Sequence, residues 1–291
     1  MHQFLGSIGF SKYKKSDDVE QLINEVIANP DHTVIYDRED GTKFAELSTE
    51  FSEYMGIAVR GEINEKNQFR MEYYFPYFCG SHMTTKEKIE IERHSDKESF
   101  AGVCEDFRTG FTLIFFLQNV IEYFKAVEVL PAGYETRTSL SGLSSYGTII
   151  LPIVKETPVK DLGNNNKPKK DRLSLIEAAR AGDEEAMESL TLDDIDKYTM
   201  IAKRINTEDV LSIVKSSFMP YGIESDQYAI IGEIMDYHFV QNKKTEEEIC
   251  ILTLNCNDMI LDVCVNKENM LGEPAIGRRY KGVIWLQGGI Y

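Results

Sequence analysis

Apolar and polar residues alternate with a period of two along much of the chain and with a helical period in a few stretches, and the changes of period divide it into sections. In SDDVEQLINEVIA, residues 16–28, Leu22, Ile23, Val26 and Ile27 share one helical face. Ser16 is placed to cap this helix, Asp17, Asp18 and Glu20 suit its electropositive first turn, and Asn29-Pro30 ends it. Strand-like runs follow in TVIYDR, TKFAELSTEF, YMGIAVRGEI and QFRMEYYFPYF, separated by turn signals such as Asp40-Gly41 and NEKN. Short turns between successive strands predict antiparallel pairing. KIEIERHS and SFAGVCEDF predict two more strands, Gly110 to Lys125 a second helix, and GTIILPI a last strand. Helices covering one side of such a sheet would bury both apolar surfaces.

The pattern stops at residues 155–171, KETPVKDLGNNNKPKKD, which offer almost nothing to bury and read as a linker; the KPKK run within it is a solvated charge run. Residues 172–219 return to the helical period, with a Gly182-Asp183 break, a capping box from Thr191 to Asp194 and a further start at Thr207. From 220 to 291 the period is two again. A long first strand, YAIIGEIMDYHFV, precedes the turn QNKKTEE, the hairpin EICILTLNC-ND-MILDVCV, an irregular crossing and the closing strand RRYKGVIWLQG.

That order and size resemble the OB-fold, a small five-stranded barrel, a likeness of fold that confers no ligand by itself. The expected class is therefore α+β: an N-terminal antiparallel sheet with helices over 1–154, the linker at 155–171, a short helical connector at 172–219 and a small OB-like β-barrel at 220–291.

Charge narrows the partners. The net charge is −16, and it is not concentrated in one section: 15 basic against 24 acidic side chains in 1–154, 11 against 13 in 155–216, and 6 against 9 in 228–291. No section is basic, which disfavours nucleic acid and anionic membranes as partners and leaves an unidentified protein or small molecule. The five cysteines are odd in number, and the spacing C-x5-C-x7-C of Cys250, Cys256 and Cys264 fits alternation within strands better than a zinc site. Free thiols and the lack of a signal-like start at MHQFLGSIGFSKYKK point to the cytoplasm.

Motifs for catalysis are largely wanting. No phosphate-binding glycine loop, H-E-x-x-H or calcium loop occurs, so neither cofactor-binding residues nor metal ligands are expected. GLSSYG, Gly142 to Gly147, lacks the glycine that a nucleophile elbow needs two residues after the serine and reads as a turn. Ser11 and Lys14 match S-x-x-K without its companion elements. His2, His32, His82, His94 and His238 stand far apart, and the carboxylates Asp193, Asp194 and Asp196 complement a helix N-terminus. In FRMEYYFPYF, alternation sends Phe69, Met71, Tyr73 and Phe75 to one face and Arg70, Glu72 and Tyr74 to the other.

The candidate ligand surface is the closing strand. Arg279, Lys281, Val283, Trp285 and Gln287 share one side, opposite Tyr280, Gly282, Ile284 and Leu286, so two cations flank an aromatic platform of the kind single-stranded nucleic acid stacks on. The structural reading of the same residues has Arg279 and Lys281 paired with acids of the chain and Trp285 packed against the helical section, with Gly282 at a barrel corner.

MHQFLGSIGFS, YGTIILPI, EAARAGDEEA, FMPYGIESDQY and above all the run Gly277 to Gly288, GRRYKGVIWLQG, resemble a bacterial family of about this length known as a domain of unknown function. The resemblance spans nearly the whole chain. It implies a bacterial cytoplasmic protein and carries over no site residues. A non-enzymatic binding or scaffolding protein is the expected function, with a single-stranded nucleic-acid-binding accessory as the alternative and an enzyme whose site assembles only in three dimensions as the second.

Overall fold

Residues 2–38, 41–93, 99–106, 108–129, 137–153, 178, 183–189, 211 and 214–291 are described in the computed structural model of the chain. The chain divides into two units, Met1–Pro152 with Ser216–Tyr291, and Ile153–Lys215. In the second unit residues 184–189 are helical, and Asp183 caps them by accepting hydrogen bonds from the backbone N–H groups of Glu185 and Ala186 at 3.0 and 3.2 Å. His94, the linker at 155–171 and nearly all of the expected helical connector, with Thr191, Asp193, Asp194, Asp196 and Thr207, lie outside the described residues.

The first unit holds two sheets. Strands β1 (His32–Asp37), β2 (Lys43–Ser52), β3 (Met55–Ile63) and β4 (Phe69–Phe78) form an antiparallel meander, as the short turns predict. Helix α1 (Ser16–Ala28) buries Val19, Leu22, Ile23 and Val26 beside β2 and β3. Ser16 is its first helical residue rather than its cap, and no side chain closes that end. In β4 the pairing with β3 shifts between Met71 and Tyr73, so the strict alternation expected there breaks, and Met71 is 44% exposed.

The larger sheet contains β5 (Glu90–Arg93), β6 (Phe100–Asp106), β7 (Phe111–Leu117), β8 (Thr138–Ile150), β9 (Ser217–Pro220), β10 (Gln227–Gln241), β11 (Glu248–Cys256), β12 (Met259–Asn266), β13 (Met270–Leu271) and β14 (Arg279–Ile290). Five of them close a barrel in the order β10-β11-β12-β8-β14 and back to β10. Each of these contacts is antiparallel except β12 with β8, which is parallel. This is the pairing of an OB-type barrel with its last strand moved to the front of the chain. The barrel expected from residues 220–291 is thus completed by β8, from the section expected to end the N-terminal sheet. Local periodicity could mark β8 as a strand but carried no information on partners more than a hundred residues away.

Two further segments differ from the sequence reading. The helix expected over Gly110 to Lys125 is half strand: FTLIFFL forms β7, whose aromatic and branched residues pair with β6, and α2 (Val120–Val129) starts only after Gln118-Asn119. GLSSYG is no turn but lies within β8, where Ser144 donates to the carbonyl of Val283 at 2.8 Å.

Alternation in β11 and β12 sends Cys250, Leu252, Leu254, Cys256, Met259, Leu261, Val263 and Val265 into the barrel, where Tyr228, Ile230, Tyr280, Ile284 and Leu286 meet them. Gly147 and Gly282 leave room for the Tyr280 ring; a Cβ at Gly147 would lie 2.2 Å from its hydroxyl oxygen and one at Gly282 2.7 Å. The pairing of β14 with β8 shifts register just after Gly282, as expected of glycine at a barrel corner.

The meander is joined to the barrel assembly by buried polar groups. Arg60 on β3 is wholly buried, with Glu46 beside it across the strand pair at 2.5 Å and the Tyr73 hydroxyl at 2.9 Å. Its guanidinium also donates to the carbonyls of Leu117 and Gln118 and lies over the Phe75 ring at 4.6 Å. Burial works against both charges. It pushes the Glu46 carboxyl up, against the pull of Arg60, while Glu46 and Tyr73 hold the guanidinium above its ordinary value. Gln118 in turn donates to the Gln287 side chain at 2.7 Å and to the Phe78 carbonyl at 2.8 Å, Gln287 donates to the Pro76 carbonyl at 2.8 Å, and Ser141 donates to the Phe78 carbonyl.

Removing one partner of such a pair strands the other without water. Glu46→Gln or Arg60→Met should each lower the unfolding free energy by about 3–5 kcal/mol in urea titration, whereas Glu46→Leu with Arg60→Met should recover much of the loss. Additive losses in the double variant would contradict this account.

Candidate functional site

The closing strand β14 is flanked on both sides, by β10 and by β8, so its backbone is spoken for and only side chains could form a surface. Trp285 is 5% exposed. Its indole stacks on Phe4 at 5.6 Å, meets His2 at 4.6 Å and Phe116 at 5.0 Å, and its N–H donates to Asp226 Oδ2 at 2.7 Å. A base could stack there only after Phe4 and His2 moved away. Among the described residues the partners of Trp285 are thus the N-terminal segment, β7 and Asp226; most of the helical section lies outside them.

Arg279 is also 5% exposed and donates through Nε and a terminal nitrogen to the Leu151 carbonyl at 3.0 and 2.7 Å, holding the end of β8. Lys281 alone of the three is exposed. The structure thus does not bring Arg279, Lys281 and Trp285 together as one open face.

The outer face of β11 and β12, the middle of the barrel wall, is covered as well. Ile249, Ile251 and Cys264 point outward into a second core made by Phe4, Leu5, Ile8 and Phe10, by α1 and by β3 and β4. The 3-10 helix Leu5–Ile8 lies on β12 and β8. The turn is anchored by Asn242, whose side chain donates to the Ile8 carbonyl at 2.7 Å, and by Thr245, which donates to the Gly9 carbonyl at 2.5 Å. Glu247 takes hydrogen bonds from the Ser11 N–H and hydroxyl at 3.1 and 3.0 Å and from Asn266 at 2.6 Å. Ser11 of the S-x-x-K match is consequently a structural donor.

Ser81, His82 and Asp262 form a serine, histidine and carboxylate cluster that sequence spacing did not reveal. Its geometry is not that of a nucleophilic triad. The Ser81 hydroxyl lies 2.9 Å from His82 Nδ1 and 2.7 Å from Asp262 Oδ2, and Asp262 Oδ2 is 3.3 Å from the same Nδ1, so serine and acid share one ring nitrogen instead of using opposite ones. Asp262 also accepts from the Ser81 N–H at 2.7 Å and from Thr253 at 2.7 Å, which makes it the anchor of the loop after β4. Asp106 plays the same part beyond β6, paired at 2.5 Å with Arg108, which also donates to the Thr84 carbonyl at 2.8 Å.

Burial pushes both acids up, but hydrogen bonds outweigh it, from Arg108 for Asp106 and from Ser81, Thr253 and His82 for Asp262, and both end below the ordinary 3.8. A carboxyl depressed in the folded state stabilises fully above its unfolded value and loses that contribution as pH falls through the folded one. Urea midpoints should therefore fall on acidification below about pH 4, and Asp262→Asn should start lower at neutral pH with a shallower acid slope. An unchanged slope would remove Asp262 from this role.

The thiols are poor nucleophiles. All five cysteines are free, and Cys79 alone is not fully buried. Burial, with Glu46, Glu50 and Glu122 adding to it, pushes Cys79 up to about 11, and burial alone takes Cys256 up to about 12. Against Ellman's reagent near neutral pH the native protein should release at most one equivalent, about a hundred-fold slower than an ordinary thiol, with Cys79→Ser silencing it and denaturant exposing the rest.

Among the described residues no three His, Cys, Asp or Glu side chains gather as metal ligands, and no helix is long and apolar enough to cross a membrane. His32 is exposed, and His238 lies 3.6 Å from Glu53 at the surface. What sequence spacing could not show is a groove of about 630 Å³ that brings His2, Lys12 and Lys14 to Ser145 on β8 and to Glu268 and Asn269 after β12.

No curated protein and no solved structure matches the chain. A family model does match, over residues 5–288, through both sheets and the segment between β8 and β9, leaving out the first four and the last three residues. With that extent of match, the chain belongs to the family described as "Domain of unknown function, E. rectale Gene description (DUF3881)".

Proposed function

We propose that this protein is a non-enzymatic binding or scaffolding protein of the bacterial cytoplasm, a rigid body that carries the unit Ile153–Lys215 between two of its strands. The observation behind the reading is where that unit is inserted. β8 ends and β9 begins near the start of β14: Ile150 is opposite Arg279, and Ser217 pairs with Ile231, which pairs with Lys281. Three strand spacings, roughly 15 Å, separate the two junctions. An insertion whose ends lie close together at one rim of a closed barrel leaves that barrel intact.

Further support comes from the reactive side chains. Ser81, Asp262, Asp106, Arg60 and Glu46 are engaged in bonds that hold loops and strands, and free cysteines suit a reducing compartment. Nucleic acid is a disfavoured partner for a chain of net charge −16 whose indole is already stacked.

The test is excision. Replacing residues 153–215 by a flexible linker of about eight residues, enough to span the junctions, should leave cooperative unfolding with a midpoint within about 5 °C of the full chain. Collapse to a molten state would contradict the rigid-body reading. Turnover of any substrate in a broad hydrolase and transferase panel, lost in Asp262→Asn or Cys79→Ser, would sink the non-enzymatic one.

A further inference from the structure

We propose that the groove beside the Ser11–Lys15 loop binds a small anionic molecule, one that carries clustered phosphate or carboxylate groups together with hydroxyls. The groove measures about 630 Å³, inside the range of sites that take ligands of cofactor size. Lys12, Lys14, His2, Ser145, Glu268 and Asn269 are among the residues that line it.

The ion pairing of the lysines bears on this. Lys43, Lys88, Lys243, Lys244 and Lys267 each lie within 3.6 Å of a carboxylate. Lys12 and Lys14, exposed in a chain with 48 acidic and 32 basic side chains, have no carboxylate partner among the described residues, a state they share with Lys15, Lys66 and Lys281 but combine with a place on a groove. The nearest buried acid along the loop, Glu247, is already occupied by Ser11 and Asn266 and cannot compete for them.

The loop that bears these cations is also fixed in place. Gly9, at φ 89°, packs directly on Asn242, and Asn242 and Thr245 hold the carbonyls of Ile8 and Gly9. Phe10 is buried and meets the Tyr13 ring edge-on at 5.0 Å. Lysines on a preorganised loop lose little backbone freedom when an anion arrives. Two lysines two residues apart on one loop suit a multivalent anion. Glu268, which also lines the groove, can accept hydrogen bonds from hydroxyls of the same ligand.

The inference rests on the reading of the protein as a binder, and its test separates the two. Isothermal titration calorimetry of the full chain at low salt would use pyrophosphate in one arm and citrate in the other, which distinguishes phosphate from carboxylate. Saturable binding with Kd below about 1 mM is expected for at least one of them. Lys12→Glu with Lys14→Glu should weaken it at least about ten-fold, while Lys66→Glu, a reversal in an exposed turn elsewhere, should leave it unchanged. Because His2 lines the groove and lies 4.6 Å from the only tryptophan, emission of Trp285 should shift with the same saturation curve.

No saturable heat from either anion up to about 10 mM, or equal weakening by both charge reversals, would overturn the proposal and leave the scaffold reading intact. Release of phosphate from bound pyrophosphate would do the reverse, keeping the groove as a site and ending the non-enzymatic reading.

Discussion

A single guanidinium with no access to water sets the terms for the rest of the larger unit. Arg60 cannot give up its proton, and an unpaired charge at its depth would cost several kcal/mol, so each neighbour is arranged to meet it: Glu46 from the adjacent strand, Tyr73 from the next, and two carbonyls from the end of β7. Those carbonyls belong to Leu117 and Gln118, and the Gln118 side chain reaches Gln287 on the closing barrel strand. One chain of polar contacts thus runs from the middle of the meander to the barrel wall. Apolar packing alone would permit several ways of laying one sheet on the other, whereas a buried network of fixed donors and acceptors admits few.

Around that anchor the chain closes its own surfaces. The barrel leaves no free edge among its five strands, its outer wall at β11 and β12 is covered by the N-terminal segment, and its tryptophan is stacked. The side chains that look reactive on paper turn out to be ties: Asp262 holds the loop after β4, Asp106 the turn after β6, and Ser11 the start of the chain against Glu247. Open, charged and rigid at once is the Lys12–Lys14 loop beside its groove.

Much of this was legible in the residues. The meander, α1 and the strands of 220–291 follow from alternation and turn chemistry, and the inward set Tyr280, Ile284 and Leu286 was separable from the outward set by counting in twos. The misses have physical causes. FTLIFFL is apolar at every position but Thr112, so no period distinguishes helix from strand, and pairing with β6 decided it. Met71 left its expected face because an irregular register slipped the count by one. Trp285 was assigned the right side of its strand, but what covers that side, Phe4 and His2, lies at the other end of the chain, where no local pattern points to it. The groove was illegible for the same reason, since its walls come from three segments that only tertiary structure assembles.

The position of β8 has an implication for how the molecule comes to exist. During synthesis β8 emerges before both of its barrel partners, which begin at Met259 and Arg279. Between them the ribosome must deliver the whole of Ile153–Lys215. For that interval β8 beyond Thr138, which bridges to Thr85, lacks its strand partners, and its parallel contact with β12 can form only by closing a loop of more than a hundred residues. Barrel closure therefore has to wait for the last strand of the chain, and it carries the loop-closure cost of everything inserted ahead of it.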